Sequence, residues 1–432
     1  MAAVKVTIIG AGSAFTFSVV ADMSLNPAFA GSTVALVDTD VATLDLSQRI
    51  CSRMIAESGA DLRLEGSADR RQVLPGSDYV LNSISVGEPW ARERDVAIGE
   101  RYGIFQPTSQ TVGPAGVFRG LRVIPQAVAI AQDVARLCPE ATILNLANPM
   151  AAVCRAMIRE TGVRVIGLCE AWRESLGLMA AALDVPEREL DLVSVGTNHL
   201  GWATALIRSG QDVLPLALER LHSPEKRALL DSVPIAREIY AAFGLWPTGS
   251  QDHIAEFFPY FLTPESHGGA DYGLITRHTS EAQWQERLRE RQALAQGDLP
   301  VTGLLRPSGE SAVEVLAALA GIGAPGQHMI NIPNQGLIPN LPAAAIVELP
   351  AAVDRCGVHG KQVAPLPQPV AHLLHTRAVQ QELMVDAALS GDRQRALHCL
   401  LLDAQVVSLD TAWRILEESL AANAAWLPNF RR

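Results

Sequence analysis

A chain of 432 residues that is 48% hydrophobic and only 19% charged has enough apolar material for two cores or one large one. Its formal charge of −11, from 46 acids and 35 bases, leaves no basic stripe for nucleic acid or for an anionic membrane surface. No run of about 18 apolar residues escapes interruption by Gly, Pro or charge, which argues against a membrane span, and the N-terminus lacks the separate charged and apolar regions of a signal peptide, so a cytoplasmic protein is expected. The six cysteines (Cys51, Cys138, Cys154, Cys169, Cys356 and Cys399) are scattered without a C-x-x-C pair, the pattern of reduced thiols rather than of a disulfide framework.

The organising stretch comes first. Val6 to Ile9 is an apolar run without alternation, the signature of a strand buried on both faces. Gly10, Ala11, Gly12 and Ser13 follow, then a helix predicted over Ala14 to Leu25. Glycines let the backbone turn sharply against a pyrophosphate, and the helix N-terminus offers free N–H groups to its charge. A second run, Thr33 to Val37, ends at Asp38, an acid suited to the ribose hydroxyls of NAD and unfavourable to a 2′-phosphate. The third glycine of G-x-G-x-x-G is replaced by Phe15, but strand, turn, helix, strand and acid stand in register for a dinucleotide.

Beyond Asp38 a helix is predicted over Val41 to Ser58 and a strand within Asp78 to Val86. The polar segment Gly87 to Gly116, with Arg92, Glu93, Gln106, Thr108 and Gln110, reads as a loop over the cofactor or a solvated connection. Leu121 to Leu137 reads as a helix, Ala141 to Leu146 as a strand, Pro149 to Arg159 as a helix and Val163 to Leu168 as a strand. Such alternation specifies an α/β fold, here an N-terminal Rossmann-like doubly wound parallel sheet over residues 1–196, with a second α+β domain over 197–432. Ligands of these sheets gather at the carboxyl ends of strands. Three such ends carry functional groups: Asn148, then Cys169 with Glu170, then Asn198 with His199. Asn331 to Pro350 suggests strands and tight turns, and Asp403 to Ala422 an amphipathic helix.

Thiolate and imidazole are metal ligands, so Cys169 and His199 form a candidate metal pair, although each alone is equally a packed residue. Asn148 suits a substrate hydroxyl or a helix N-cap. Asp252, His253 and Glu256 make a second titratable cluster among Phe257, Phe258, Tyr260 and Phe261, either a partly buried site or a helix face packed by aromatics.

Jointly, the stretches Ile8–Ser13 (IIGAGS), Gly113–Pro125 (GPAGVFRGLRVIP), Asn145–Met150 (NLANPM), Gly167–Cys169, Asn198–His199, Asp252–Phe261 (DHIAEFFPYF), Asn340–Pro342 and Val347–Pro350 (VELP) resemble the NAD- and metal-dependent glycosidases of glycoside hydrolase family 4, which are similar in fold to lactate and malate dehydrogenases. The resemblance implies hydride removal from the sugar's C3 by NAD, proton abstraction at C2, elimination of the aglycone, water addition and hydride return, outside the usual two-carboxylate scheme. It implies NAD held at Gly10, Gly12, Ser13, Ala14, Phe15 and Asp38. A divalent metal, implied to be Mn2+, falls at Cys169 and His199, although a thiolate and an imidazole by themselves suit a softer ion such as zinc. Asn148, Asn198 and His253 fall on the sugar, and Asp252 in the place of the base, with Tyr240 and Tyr260 as fallbacks. Two departures stand out. Glu170 follows the matched cysteine where the family carries His, Asp or Asn, and it suits a general acid with longer reach. Ser85 replaces the arginine of members acting on 6-phosphoglycosides, which implies an unphosphorylated glycoside or uronide. The resemblance further implies a homodimer or homotetramer. A simple NAD-dependent dehydrogenase of a hydroxy acid or polyol, and a non-catalytic NAD- or sugar-binding module, are the competing readings of the same residues.

Overall fold

A computed structural model describes residues 3–87, 90–276 and 278–430. Six parallel strands form its N-terminal sheet: β1 (Lys5–Ile9), β2 (Thr33–Val37), β3 (Arg63–Ser67), β4 (Tyr79–Asn82), β5 (Thr142–Asn145) and β6 (Arg164–Gly167). Their spatial order is β3-β2-β1-β4-β5-β6, so the strand order reverses between β1 and β4, the place where such a sheet opens a crevice at its carboxyl edge. β1, β2 and β4 are almost wholly buried, as runs without polar alternation require when helices cover both faces.

The sheet does not stop at Gly196. β7 (Asp191–Thr197), β8 (Leu200–Arg208), β9 (Gln211–Asp212), β10 (Trp246–Thr248), β11 (Gly326–Pro333), β12 (Ile346–Asp354) and β13 (Gly357–Gly360) continue it. The late hairpin β11–β12 inserts between β6 and β7, pairing Asn331 with Gly167 on one side and Glu348 with Gly196 on the other. One mixed sheet therefore carries all three strand ends marked by the sequence.

The helices Ala14–Leu25 and Val41–Ser58 occupy the predicted spans. Polar composition concealed another. Trp90–Glu100 is a helix with Ala91, Val96 and Ile98 buried, so the segment expected to be loop from Gly87 to Gly116 is loop only in part; Glu88 and Pro89 lie outside the described residues. The helix expected from Leu121 begins at Gly113 and runs to Leu137, since Pro114 sits in its first turn, where no N–H partner is needed. β3 escaped notice because Arg63, Glu65 and Ser67 interrupt its apolar residues at the sheet's edge. The amphipathic C-terminal helix starts at Leu409 rather than Asp403.

Asp403 has a different task. Its Oδ2 accepts from the Gly113 backbone N–H (2.8 Å) and from Arg377 Nη1 (3.2 Å), fixing the start of the Gly113–Leu137 helix from the far end of the chain. Along the same helix, the buried pair Arg122–Asp95 (2.6 Å) is completed by Asn423. A buried ion pair tolerates removal from water only with such further hydrogen bonds, and here they clamp three segments around the site. Among the described residues no helix is long and apolar enough to cross a membrane.

Candidate active site

A cavity of about 1350 Å³ runs along the carboxyl edge of the parallel strands and joins the glycine turn to Asn148, Cys169, Glu170, His199 and His253. At one end, Gly10 and Ala11 donate to the Val37 carbonyl (2.9 Å each). Gly10 has φ +95°, and a Cβ there would lie 2.9 Å from the Ser83 carbonyl carbon. A Cβ on Gly12 would meet Thr43 Cγ2 at 2.5 Å, so this cradle exists only with glycine. Asp38 Oδ2 accepts from Gly12 N (2.9 Å) and Oδ1 from Asp40 N (3.0 Å), which fixes the carboxylate beside the glycine turn. Ser13 caps the next helix by accepting from Phe15 N. Gly10, Gly12, Ser13, Phe15 and Asp38 all line the cavity, whereas Ala14 contributes only the first helical residue. The cradle fits a dinucleotide.

At the other end, His199 adopts φ +69° at the β7–β8 turn, a conformation costly for a non-glycine residue and often found where a side chain is aimed for a task. Its Nδ1 is 2.7 Å from Thr111 Oγ1, leaving Nε2 as the free ligating atom. Burial, followed by the neighbouring His253, holds His199 well below the usual imidazole range, in the neutral form a metal requires. Burial likewise pushes the Cys169 thiol up to about 12, with Glu348 adding to the effect; a cation at this place would reverse that balance. No group of three or more His, Cys, Asp or Glu among the described residues is gathered to hold an ion alone. Two protein donors opening onto a cavity leave positions for substrate oxygens and water, as an open catalytic metal site must. The donor set fits a divalent ion completed by substrate.

Several further groups shape this end, among them Glu256 of the predicted titratable cluster and Thr111, which had not been singled out by the sequence. Glu256, fully buried, accepts from Thr108 N and Oγ1 and from Ser109 N (2.8, 2.6 and 2.8 Å). It thereby anchors the loop that delivers Thr111 to His199 and Gln110 to Asn148, whose Nδ2 donates to Gln110 Oε1 (3.2 Å). Asn148 Oδ1 accepts from Met150 N (3.2 Å) at the start of the next helix, so this residue both faces the cavity and serves the helix end. Arg119 Nε donates to the Asn148 carbonyl and Nη2 to Ser85 Oγ (3.2 and 3.3 Å); a guanidinium from the Gly113–Leu137 helix thus stands beside Ser85. Glu348 is pushed up to about 7 by burial although the Asn331 and Asn198 amides donate to it. Those two amides tie β12 to β11 and to the Asn198–His199 turn. Asn198 is buried at the cavity's edge rather than in its lining.

The predicted acid and base candidates separate in space. Glu170 lines the cavity but accepts from Arg173 Nε (2.5 Å) and Ser311 N (3.0 Å). Burial raises Asp252, but hydrogen bonds from His253 and Ser250 outweigh it and hold the carboxyl well below the usual range. It stands beside His253, whose ring packs against His199 at a centroid distance of 3.9 Å with the planes tilted by 57°, and His253 rather than Asp252 lines the cavity. Tyr260 is 64% exposed and stacks on Phe258, outside the cavity's lining; the structure does not bring this fallback base to the site. Its chain neighbours Phe257, Phe258 and Phe261 do enter the core, which leaves Tyr260 the outward position. Tyr240 lines a different groove, with His222 and Trp246. Two carboxyls absent from the sequence-based set, Glu174 and Glu310, line the cavity, each raised by burial and then by a nearby acid, Asp252 and Glu170 respectively.

A parallel sheet with a dinucleotide cradle, continuous through one cavity with an asparagine, a thiol and an imidazole at three strand ends of the same mixed sheet, defines an enzyme site in which a nicotinamide cofactor and a metal-bound substrate meet. The chain matches the profile described as "Family 4 glycosyl hydrolase" over residues 5–185 and that of its C-terminal domain over residues 194–406. It is 31% identical to an α-galacturonidase of Bacillus subtilis (strain 168), over 93% of each chain, and 29% identical to an α-galactosidase of the same organism, over 99% of this chain and all of the relative. A solved 6-phospho-α-glucosidase from gut microorganisms, in complex with NAD and Mn2+, superposes with a TM-score of 0.82 at 21% identity over 99% of each chain. The chain belongs to the family 4 glycosyl hydrolases.

Proposed function

We propose that this family 4 enzyme is an oxidoreductive glycosidase that cleaves an unphosphorylated glycoside or uronide, with residues 1–196 carrying NAD and residues 197–432 closing the sugar site. The observation that supports it most is the single cavity joining the glycine turn and Asp38 to Cys169, His199 and Asn148. NAD when bound supplies a hydride acceptor, and a divalent ion, which we assign as Mn2+, supplies positive charge to the sugar's C2 and C3 oxygens.

The chain's own residues do the rest. Asp38 and the Gly10–Ser13 turn orient the cofactor, while Cys169 and His199 hold the ion, with Thr111 fixing the imidazole. Asn148, Asn198 and His253 bind and orient the sugar hydroxyls. Asp252, ionised beside the cavity-lining His253, is the assigned base for the C2 proton, and Glu170 the assigned acid at the aglycone side, a role for which its carboxylate must exchange the N–H groups of Arg173 and Ser311 that it now accepts from for a proton. The relatives named α-galactosidase and α-galacturonidase favour a sugar without a phosphate, and the Arg119 guanidinium beside Ser85 offers a counter-charge to a uronide carboxylate. The reading includes a cytoplasmic location and a homodimer or homotetramer.

A panel of α- and β-nitrophenyl glycosides and uronides, with and without a 6-phosphate, tests it in the presence or absence of NAD and Mn2+. Nitrophenol release that requires NAD yet accumulates no NADH is expected. Stoichiometric NADH without nitrophenol would establish the dehydrogenase reading in its place.

A further inference from the structure

The helix Glu281–Gln296, from the second half of the chain, packs against the Val41–Ser58 helix and turns Trp284, Arg287, Leu288 and Arg291 toward the cavity. Arg291 is half-buried there. Its Nη1 donates to the Gly12 carbonyl at 2.8 Å, and its guanidinium lies 5.6 Å from the Phe17 ring centroid. Burial, then the like charge of Arg287, push it down from the ordinary arginine value. Arg287, one turn earlier, makes no hydrogen bond or ion pair to any described residue, and neither arginine pairs with a carboxylate.

Two guanidinium groups four residues apart on one helix face repel each other, and the attraction of Glu290 and Asp38 for Arg291 does not outweigh burial and that repulsion. Asp38, which attracts Arg291, is already engaged by the Gly12 and Asp40 N–H groups. An arrangement of this kind is completed by an anion with several acceptor oxygens, for which the planar guanidinium is the matching donor. The position of that anion is set by Gly12, on whose carbonyl Arg291 rests.

We propose that Arg287 and Arg291 clamp the cofactor's pyrophosphate from the side opposite the glycine turn, an assignment that rests on the dinucleotide reading of that turn. The N-terminus of the Ala14–Leu25 helix and the clamp then share the two phosphate charges between them. Because the arginines belong to the second half of the chain, the cofactor is held between both halves. Retention of this kind suits a cofactor that is returned to its starting state within each turnover.

The test compares the full-length protein with its Arg287→Ala and Arg287→Lys variants, measuring Kd for NAD, ADP-ribose and adenosine by titration calorimetry at two salt concentrations. Arg287 is the residue to change because it makes no hydrogen bond or ion pair to any described residue, whereas loss of Arg291 would also disturb Gly12. Arg287→Ala is expected to weaken NAD and ADP-ribose roughly three- to tenfold, given its partly solvated position. Adenosine, which has no phosphate, keeps its affinity, the salt dependence of NAD binding falls, and Arg287→Lys restores part of the loss. The clamp is overturned if NAD and ADP-ribose stay within twofold, if adenosine weakens equally, or if only the KM of the glycoside moves, which would place the arginines on the substrate. Wild-type protein that fails to bind NAD at all would overturn the dinucleotide reading itself.

Discussion

Thr111→Val isolates the contact on which the metal assignment turns. Valine has nearly the shape of threonine, and position 111 is 7% exposed, so the packing of the loop against the Gly113–Leu137 helix survives while the 2.7 Å contact to His199 Nδ1 is lost. The imidazole is itself 4% exposed. Its Nδ1 would be left buried without a partner, a loss of about 1–3 kcal/mol. Part of that penalty is relieved if the ring rotates or shifts its proton to Nε2, and either response removes Nε2 as a ligand. Both routes therefore reach the same observable: metal affinity reduced roughly 10- to 100-fold, the range found when an outer partner of a ligating histidine is removed. The assay is direct, because free Mn2+ gives an electron paramagnetic resonance signal that bound Mn2+ loses, so affinity is read without a known substrate. NAD affinity should not move, since Thr111 does not border the glycine turn. Mn2+ affinity within twofold of wild type, with the fold intact by circular dichroism, would refute the assignment of His199 Nε2 as ligand.

Other substitutions probe the remaining assignments. Asp38→Ala removes the acceptor of the Gly12 and Asp40 N–H groups and is expected to weaken NAD about tenfold or more, by hydrogen bonds to a charged group; unchanged affinity by calorimetry would remove Asp38 from the ribose site. Tyr260→Phe should leave kcat and KM unchanged, because the hydroxyl stands outside the cavity, and a large fall in kcat would return this tyrosine to the catalytic set. Alkaline stability is a third readout. Burial pushes the Cys51 and Cys154 thiols up from 9.0 to about 12, so above pH 9 the unfolded chain loses protons that the folded one keeps, and stability falls as pH rises. Each thiol steepens that fall by about 1.4 kcal/mol per pH unit between the two values. Denaturant melts from pH 8 to 11 should show a shallower slope in Cys51→Ala, and an unchanged slope would mean that this thiol ionises in the native state.

Legibility in the sequence followed the physical strength of the local signal. The run Val6–Ile9, the glycine pair and Asp38 could be read because a strand buried on both faces and a turn closed to any Cβ leave few alternatives. Cys169 and His199 could be read as strand-end residues for the same reason. Helix Trp90–Glu100 could not, because the charged run Arg92, Glu93, Arg94 and Asp95 splits its apolar positions, and its burial depends on Arg122 and Asn423 reaching Asp95 from distant segments. Glu348 was visible only as part of a short motif. Its position between Asn331 and Asn198 depends on a strand pairing across about 150 residues of chain, which no local pattern encodes. Tyr260 was misplaced for a simpler cause: four aromatics within five residues signal burial collectively, and the chain turns one of them outward. The arginines of the Glu281–Gln296 helix carried no signal at all, since Arg287 and Arg291 sit among Glu286, Arg289 and Glu290 as on any solvated face.

The β11–β12 hairpin explains why the two halves cannot be treated as a cofactor domain with a detachable substrate domain. β6 ends beside Cys169 and β7 ends beside His199, yet these strands are not neighbours; the hairpin lies between them. Three strand spacings, about 4.8 Å each, therefore separate β6 from β7, so the two candidate ligands converge on one cavity only through the residues beyond the strand ends, whose placement depends on Asn331 and Asn198 donating to the one carboxyl of Glu348. That carboxyl is held up to about 7 by burial, so near neutrality it passes between a form that accepts from both amides and one that also carries a proton. Removal of the side chain by Glu348→Ala would strand both buried amides without their acceptor, whereas Glu348→Gln would keep the shape but set an amide against amides. Neither variant touches the glycine turn. A loss of Mn2+ affinity with unaltered NAD affinity in both is accordingly what a hairpin that spaces the ligands demands, and a parallel loss of NAD binding would show that it supports the whole sheet instead.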